Sequence, residues 1–229
     1  MASKLILLPG LHGTGDLFKP LLDVIPPQVA TRIIAHPTDR VCGYKALFQL
    51  VEAQLQEESD MVLLGESFSG PLALKLAVAH PMRVRAVVLC ASFVAPPVPR
   101  ILCYLATPLA LLGVPLPSLA VRVFLSGHHA PRAVVLDLKR TVRRVQPHVL
   151  AHRVRTAAWI NAVAALQQCP VPILCLAGTR DRLIGARSIN KIRRTRPDVT
   201  VKTIDGPHLL LQVNPAEAWQ EISAFLKLL

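Results

Sequence analysis

The chain predicts an α/β domain with a mostly parallel central sheet of about six strands, helices on both faces, and an inserted helical cap. Three observations carry this expectation. Four short runs, residues 4–8, 61–64, 86–91 and 171–177, are apolar almost throughout, as strands covered on both faces must be. Helical segments at about 43–57, 71–79, 186–195 and 215–228 alternate with strands, and that alternation argues for a parallel, doubly covered sheet. Finally, 229 residues suffice for one such domain with a full core and leave little for a second. Apolar residues make up 52% of the chain and aromatics only 4%, so the core is expected to be built from Leu, Val, Ala and Ile.

Taken in order, Lys4–Leu8 is the first strand, and Pro9-Gly-Leu-His-Gly-Thr-Gly15 is a glycine-rich turn after it. Residues 31–35 and the alternating run 199–204 read as outer strands. Met61–Leu64 runs into Gly65-Glu-Ser67-Phe-Ser-Gly70 and then into the helical Pro71–Ala79. That layout holds a serine on a sharp strand-to-helix turn with its hydroxyl exposed. The small neighbours let strand and helix approach closely, and the helix N-terminus points its positive end at a developing oxyanion. Ser69 departs from the full Gly-x-Ser-x-Gly pattern.

Residues 93–168 interrupt the alternation and read as a cap inserted into a core formed by residues 1–92 and 169–229. The cap opens with prolines at 96, 97, 99, 108, 115 and 117 and an uncharged stretch from Ile101 to Val121. Length and hydropathy alone would let that stretch cross a bilayer. Pro108, Gly113, Pro115 and Pro117 instead suit short broken helices. A single span would also put Ser67 on one side of the membrane and its partners on the other. The expectation is a lid whose apolar underside closes over a pocket.

A nucleophilic serine needs a base, and the base needs an acid to orient it. Beyond Ser67 no glutamate occurs before the C-terminal helix, and the aspartates are Asp137, Asp181, Asp198 and Asp205. Asp181 stands directly after the apolar run 171–177, in Gly178-Thr-Arg-Asp181. His208 follows the last strand in Asp205-Gly-Pro-His208. Of the other histidines, only His12 and His36 follow strand-like runs, and both precede the serine. Ser67, Asp181 and His208 thus stand in order, each at the C-terminal end of a strand.

With the Leu-Pro-Gly turn and Gly-Glu-Ser-Phe, the chain resembles the α/β-hydrolase superfamily from this turn to His208, and in particular its esterase-like and acyltransferase-like members. The resemblance implies that Ser67, Asp181 and His208 are nucleophile, acid and base. It also implies that the backbone N–H groups of Leu11 and Phe68 form the oxyanion hole. Many members carry His-Gly where this chain has Pro9-Gly10. Aligning His12-Gly13 there would move one donor to Thr14, but Gly10 directly follows the strand, which favours Leu11.

A net charge of +12 is concentrated in two places. Lys139, Arg140, Arg143 and Arg144 share one helical face opposite Val134, Val135, Leu138, Val142 and Val145. Arg187, Lys191, Arg193, Arg194 and Arg196 form the second group. A solvated face accounts for both; an anionic membrane surface in weak contact or an acidic substrate is the functional alternative. Nucleic acid is not expected, because no aromatic interleaving or reading motif accompanies the charge. Cysteines at 42, 90, 103, 169 and 175 are scattered and odd in number, which reads as free thiols in a reducing compartment. No secretory leader pattern precedes the first strand, so a cytoplasmic location is expected. His148 and His152 sit four apart without a zinc signature, and no metal or organic cofactor is expected.

The expected activity is hydrolysis of carboxylic esters or thioesters of apolar acyl groups through an acyl-enzyme. The alternatives are acyl transfer to an alcohol by the same chemistry, or a non-catalytic ligand-binding protein that keeps the fold.

Overall fold

The computed structural model describes residues 3–114 and 117–229. Along the chain, β1 (Lys4–Leu8) leads through the short helix α1 (Lys19–Leu22) to β2 (Thr31–Ile33). Next come α2 (Tyr44–Gln54), β3 (Met61–Glu66), α3 (Gly70–Ala79) and β4 (Val84–Cys90). Between β4 and β5 lie α4 (Arg100–Leu111), α5 (Ser118–Ala120), a π-helical turn over Val121–Ser126, α6 (Arg132–Arg143), α7 (Pro147–Ala157) and α8 (Val163–Gln168). The chain closes with β5 (Ile173–Gly178), α9 (Ala186–Thr195), β6 (Thr200–Ile204), α10 (Leu210–Val213) and α11 (Pro215–Leu226).

The six strands form one sheet in the order β2-β1-β3-β4-β5-β6, and every neighbouring pair is parallel. The short β2 and the alternating β6 take the two edges, as their half-polar patterns require. Side chains alternate across the sheet with period two. Ile6, Leu8, Leu63, Val87 and Leu89 face the layer of α2, α3, α8 and α9. Leu5, Leu7, Val62, Leu64 and Val88 face Phe18, Leu21 and the α11 residues Ala218, Ile222 and Phe225. Helix α3 lies deepest: Gly70, Pro71, Leu72, Ala73, Leu74, Leu76 and Ala77 are all buried, which explains why Lys75 is its one charged residue.

This order places the site. The chain steps outward from β1 to β2 and then crosses back to pair β3 on the other side of β1. The loops leaving β1 and β3 therefore diverge to opposite faces, and a crevice opens at the carboxyl ends of these two strands. Open α/β sheets bind ligands at such a reversal.

The stretch from Ile101 to Val121 is broken, as its prolines require. Helix α4 carries Pro108 inside it and ends before Gly113, whose φ is +63°; Pro115 lies outside the described residues. Among the described residues no helix is long and apolar enough to cross a membrane. The expectation of an apolar underside is not met by α4. Only Cys103 and Thr107 of this helix are buried, whereas Ile101, Leu105 and Leu109 are more than half exposed. A helix with apolar residues on all sides that packs chiefly on α7 cannot bury them all. The inward apolar contacts come from later residues: Val121, Val135 and Leu138 cluster with Leu17 and Leu209.

Gly178 shows how tightly the last strands converge. A Cβ there would stand 2.4 Å from the Gly206 carbonyl oxygen and 2.6 Å from that of Pro207. Gly178→Ala is expected to lower stability by about 1–3 kcal/mol, since backbone must move to admit the methyl group. Gly185→Ala, where a Cβ would meet no atom within 4 Å, is expected to cost less. Urea unfolding midpoints at unchanged slope would measure both; equal effects would contradict the close approach at Gly178.

Candidate active site

The site is built around a strained serine. Ser67 directly follows β3 with φ at +47°, in the left-handed region that costs a non-glycine residue free energy. Three features hold it there. The Ser92 hydroxyl donates to the Ser67 carbonyl at 2.7 Å. Gly65 lets the start of α3 pass so close that a Cβ would stand 2.7 Å from Gly70 Cα and from the Ser69 carbonyl oxygen. Gly70 in turn admits Ser92, whose hydroxyl would lie 1.9 Å from a Cβ.

The three residues expected from the sequence meet. His208 Nε2 lies 3.1 Å from Ser67 Oγ, and His208 Nδ1 lies 2.8 Å from Asp181 Oδ2. A carboxylate only accepts, so Nδ1 carries the proton and Nε2 presents its lone pair to the serine hydroxyl. Asp181 is itself fixed, because its Oδ1 accepts from the Leu183 and Ile184 N–H groups at 2.8 Å each. Asp181 and His208 are buried, while Ser67 is half-buried. The other aspartates are occupied elsewhere: Asp205 by Thr179 and Arg180, Asp198 by Arg196, Asp137 by Arg140.

Leu11 and Phe68 lie on the two sides of the crevice. Phe68 follows Ser67 in the first turn of the helix that continues into α3, where backbone N–H groups have no carbonyl one turn back. The Thr14 N–H, the alternative donor, is directed to His12 Nδ1 at 3.2 Å. That bond makes Nδ1 an acceptor and turns the His12 Nε2–H toward Glu66, 3.9 Å away.

The supporting roles of several residues were not legible in the sequence. Glu66, buried beneath Ser67, accepts from the Gly10 N–H at 3.3 Å and from Gln212 at 2.8 Å. Burial raises this carboxyl, but the His12 ring, the Gln212 amide and the nearby His208 outweigh it and hold the group below the ordinary carboxylate range. Ser69 Oγ donates to the Pro9 carbonyl and accepts from His36 Nε2 at 2.8 Å, so the second serine of the turn is committed to structure. Burial, with Arg153 and His12 nearby, lowers His36 to about 3, and it stays neutral. Arg153 comes from α7, is 1% exposed, and donates to the Leu11 carbonyl at 2.9 Å and to the Pro37 carbonyl at 2.6 Å. Gly13, with φ at +77°, makes room for it: a Cβ there would lie 2.3 Å from the guanidinium. The signal for Arg153 was faint, an arginine on the apolar side of a helix. The turn that carries Leu11 is thus tied to β3 by Glu66 and Ser69 and to α7 by Arg153.

Among the described residues, no three His, Cys, Asp or Glu side chains gather as a metal group. All five cysteines are buried and free.

This fold, with a serine turn at the reversal of strand order, defines an α/β hydrolase. The chain belongs to the family described as Serine aminopeptidase, S33, whose model matches residues 32–211. Solved structures agree on the fold. A hydrolase from Oleispira antarctica superposes with a TM-score of 0.86 at 11% identity, covering 99% of this chain and 92% of that one. A bromoperoxidase from Bacillus anthracis gives 0.85 at 15% identity, covering 99% and 92%. A thermophilic esterase from Thermogutta terrifontis gives 0.81 at 17% identity, covering 99% and 90%. A search of curated proteins returns no match.

Two outcomes test this geometry. Arg153→Met, which keeps an apolar stem but removes both donors, is expected to lower stability by roughly 2 kcal/mol; an unchanged unfolding midpoint would contradict the burial of the guanidinium. His36 binds a proton in the unfolded chain near its ordinary value and in the folded chain only near 3. Its contribution is therefore complete above about pH 6.5 and is lost as pH falls toward 3. His36→Gln keeps a donor for Ser69 without titrating and should flatten part of the stability decline between pH 7 and 4. The same decline in both proteins would contradict a neutral buried His36.

Proposed function

We propose that the protein is a serine hydrolase that cleaves carboxylic esters or thioesters of apolar acyl groups. The observation that carries this reading is the continuous hydrogen-bonded line from Asp181 through His208 to Ser67, ending on a strained turn at the mouth of the crevice. Ser67 Oγ attacks the carbonyl carbon while His208 Nε2 takes its proton. Asp181 holds the imidazole in the productive tautomer and stabilises the imidazolium. Negative charge gathers on the carbonyl oxygen, where the N–H groups of Leu11 and Phe68 receive it. As the tetrahedral intermediate collapses, the leaving alkoxide or thiolate takes the proton from His208. Water then repeats the sequence on the acyl-enzyme, releasing the acid and regenerating Ser67.

An apolar acyl group is supported by the side of the site beyond His208. The Leu209 N–H donates to the Leu125 carbonyl at 2.8 Å, and Leu209 packs with Val121, Leu138 and Leu17. We take the acyl chain to lie against this aliphatic cluster, where each methylene it buries would contribute up to about 0.8 kcal/mol.

Steady-state kinetics on p-nitrophenyl esters of graded chain length, beside aminoacyl p-nitroanilides, test the proposal. kcat/KM is expected to climb from acetyl to longer acyl groups and to exceed that on the anilides. Ser67→Ala should lose several orders of magnitude while folding normally, and Asp181→Asn should lose on the order of 10⁴, the loss known when the wrong tautomer is favoured. Turnover of the anilides alone would replace the ester reading with an amidase one. Full activity in Ser67→Ala would overturn the mechanism.

A further inference from the structure

On the side away from α7, helix α4 presents an exposed apolar ridge that no described element covers. Ile101, Leu105 and Leu112 recur on the side opposite the buried Cys103 and Thr107, and they are 60%, 63% and 77% exposed. So large a contiguous apolar face on a protein surface marks an interaction site. Its chemistry is specific at both ends. At the N-terminal end, the exposed Trp159 donates its indole N–H to the Tyr104 hydroxyl at 3.1 Å, and the Arg100 guanidinium lies 4.0 Å from the centre of the Trp159 ring. Tryptophan and tyrosine with an arginine beside them are the side chains that settle at a membrane–water boundary. At the C-terminal end, Lys139 and Arg143 edge a cleft of about 180 Å³ whose other walls are apolar, Ala110, Val114, Leu138 and Val142 among them.

The surrounding charge selects the occupant. Between residues 91 and 172, leaving aside the buried Arg153, there are eight Lys and Arg residues against the single acid Asp137. A second copy of this chain would bring the same excess of positive charge to the contact, which opposes self-association through this face. An anionic phospholipid surface offers both complements, apolar acyl chains for the ridge and negative headgroups for the basic rim.

We propose that α4, with Trp159, docks the protein on anionic phospholipid membranes, its ridge entering the headgroup–acyl boundary while Arg100, Lys139 and Arg143 engage phosphates. The docking surface includes none of Ser67, Asp181 and His208, and the proposal does not depend on what they catalyse. Binding of this kind is reversible and weakens with salt, since the surface potential decays within a Debye length.

The chain carries two tryptophans, so Trp219→Phe leaves Trp159 as the reporter. In that protein, vesicles of equimolar phosphatidylcholine and phosphatidylglycerol are expected to shift Trp159 emission to the blue. Lipids brominated near the headgroup should quench it. Pure phosphatidylcholine vesicles should bind about tenfold more weakly or less, and salt should reduce the difference. Leu105→Asp combined with Leu112→Asp should abolish the shift and co-flotation, while circular dichroism and the hydrolysis of a soluble ester stay unchanged. Lys139→Gln with Arg143→Gln should lose only the preference for anionic lipid. No shift and no flotation with anionic vesicles would overturn the proposal. So would binding undiminished by the two aspartates, or a concentration-dependent dimer that they dissociate.

Discussion

Ser67 occupies a backbone conformation that serine adopts at a cost, and the packing around the turn exists to keep it there. Gly65 and Gly70 are the only residues small enough for the contacts that β3, α3 and Ser92 make at this point. A side chain at either position would force the turn open and let Ser67 relax. The strain also explains why α3 is buried so completely. A helix that must start within contact of its own strand has to run along the sheet, and it is covered on its other sides by α2 and α8.

The turn after β1 is held by a different logic. Its backbone groups are pinned by polar side chains that are themselves buried: Glu66 takes the Gly10 N–H, Ser69 reaches the Pro9 carbonyl, and Arg153 reaches the Leu11 carbonyl. Buried charges are costly unless satisfied. Here each contributes by removing freedom from a loop that would otherwise move independently of β3. Since Arg153 belongs to α7, the position of this turn is coupled to helices inserted between β4 and β5. A rearrangement of those helices would reach Leu11 through one guanidinium.

Much of this was legible in the sequence because it follows from pattern and order. The apolar runs 4–8 and 61–64 read as strands covered on both faces, and β1 and β3 are both interior strands of the sheet. Ser67, Asp181 and His208 were each legible as polar residues placed directly after strands, where chain direction in a parallel sheet brings their ends together. Arg153 was not, because an arginine among other basic residues on α7 reads as solvated. Only the fold reveals the two carbonyls that face it. The bonds of Gln212 and His36 were hidden for the same reason, their partners being 146 and 33 residues away in the chain. Helix α4 misled through composition. An apolar stretch is expected to turn inward, yet a helix apolar on every side leaves no pattern to say which side is covered.

We propose that His208 activates Ser67 and not its buried neighbour Ser69. A fluorophosphonate probe reports this directly, because it bonds covalently only to an activated serine oxygen. Tandem mass spectrometry of the labelled protein should find one adduct per chain, on Ser67 within the peptide that spans the end of β3. An adduct on Ser69, or labelling that persists at full stoichiometry in Ser67→Ala, would contradict the account.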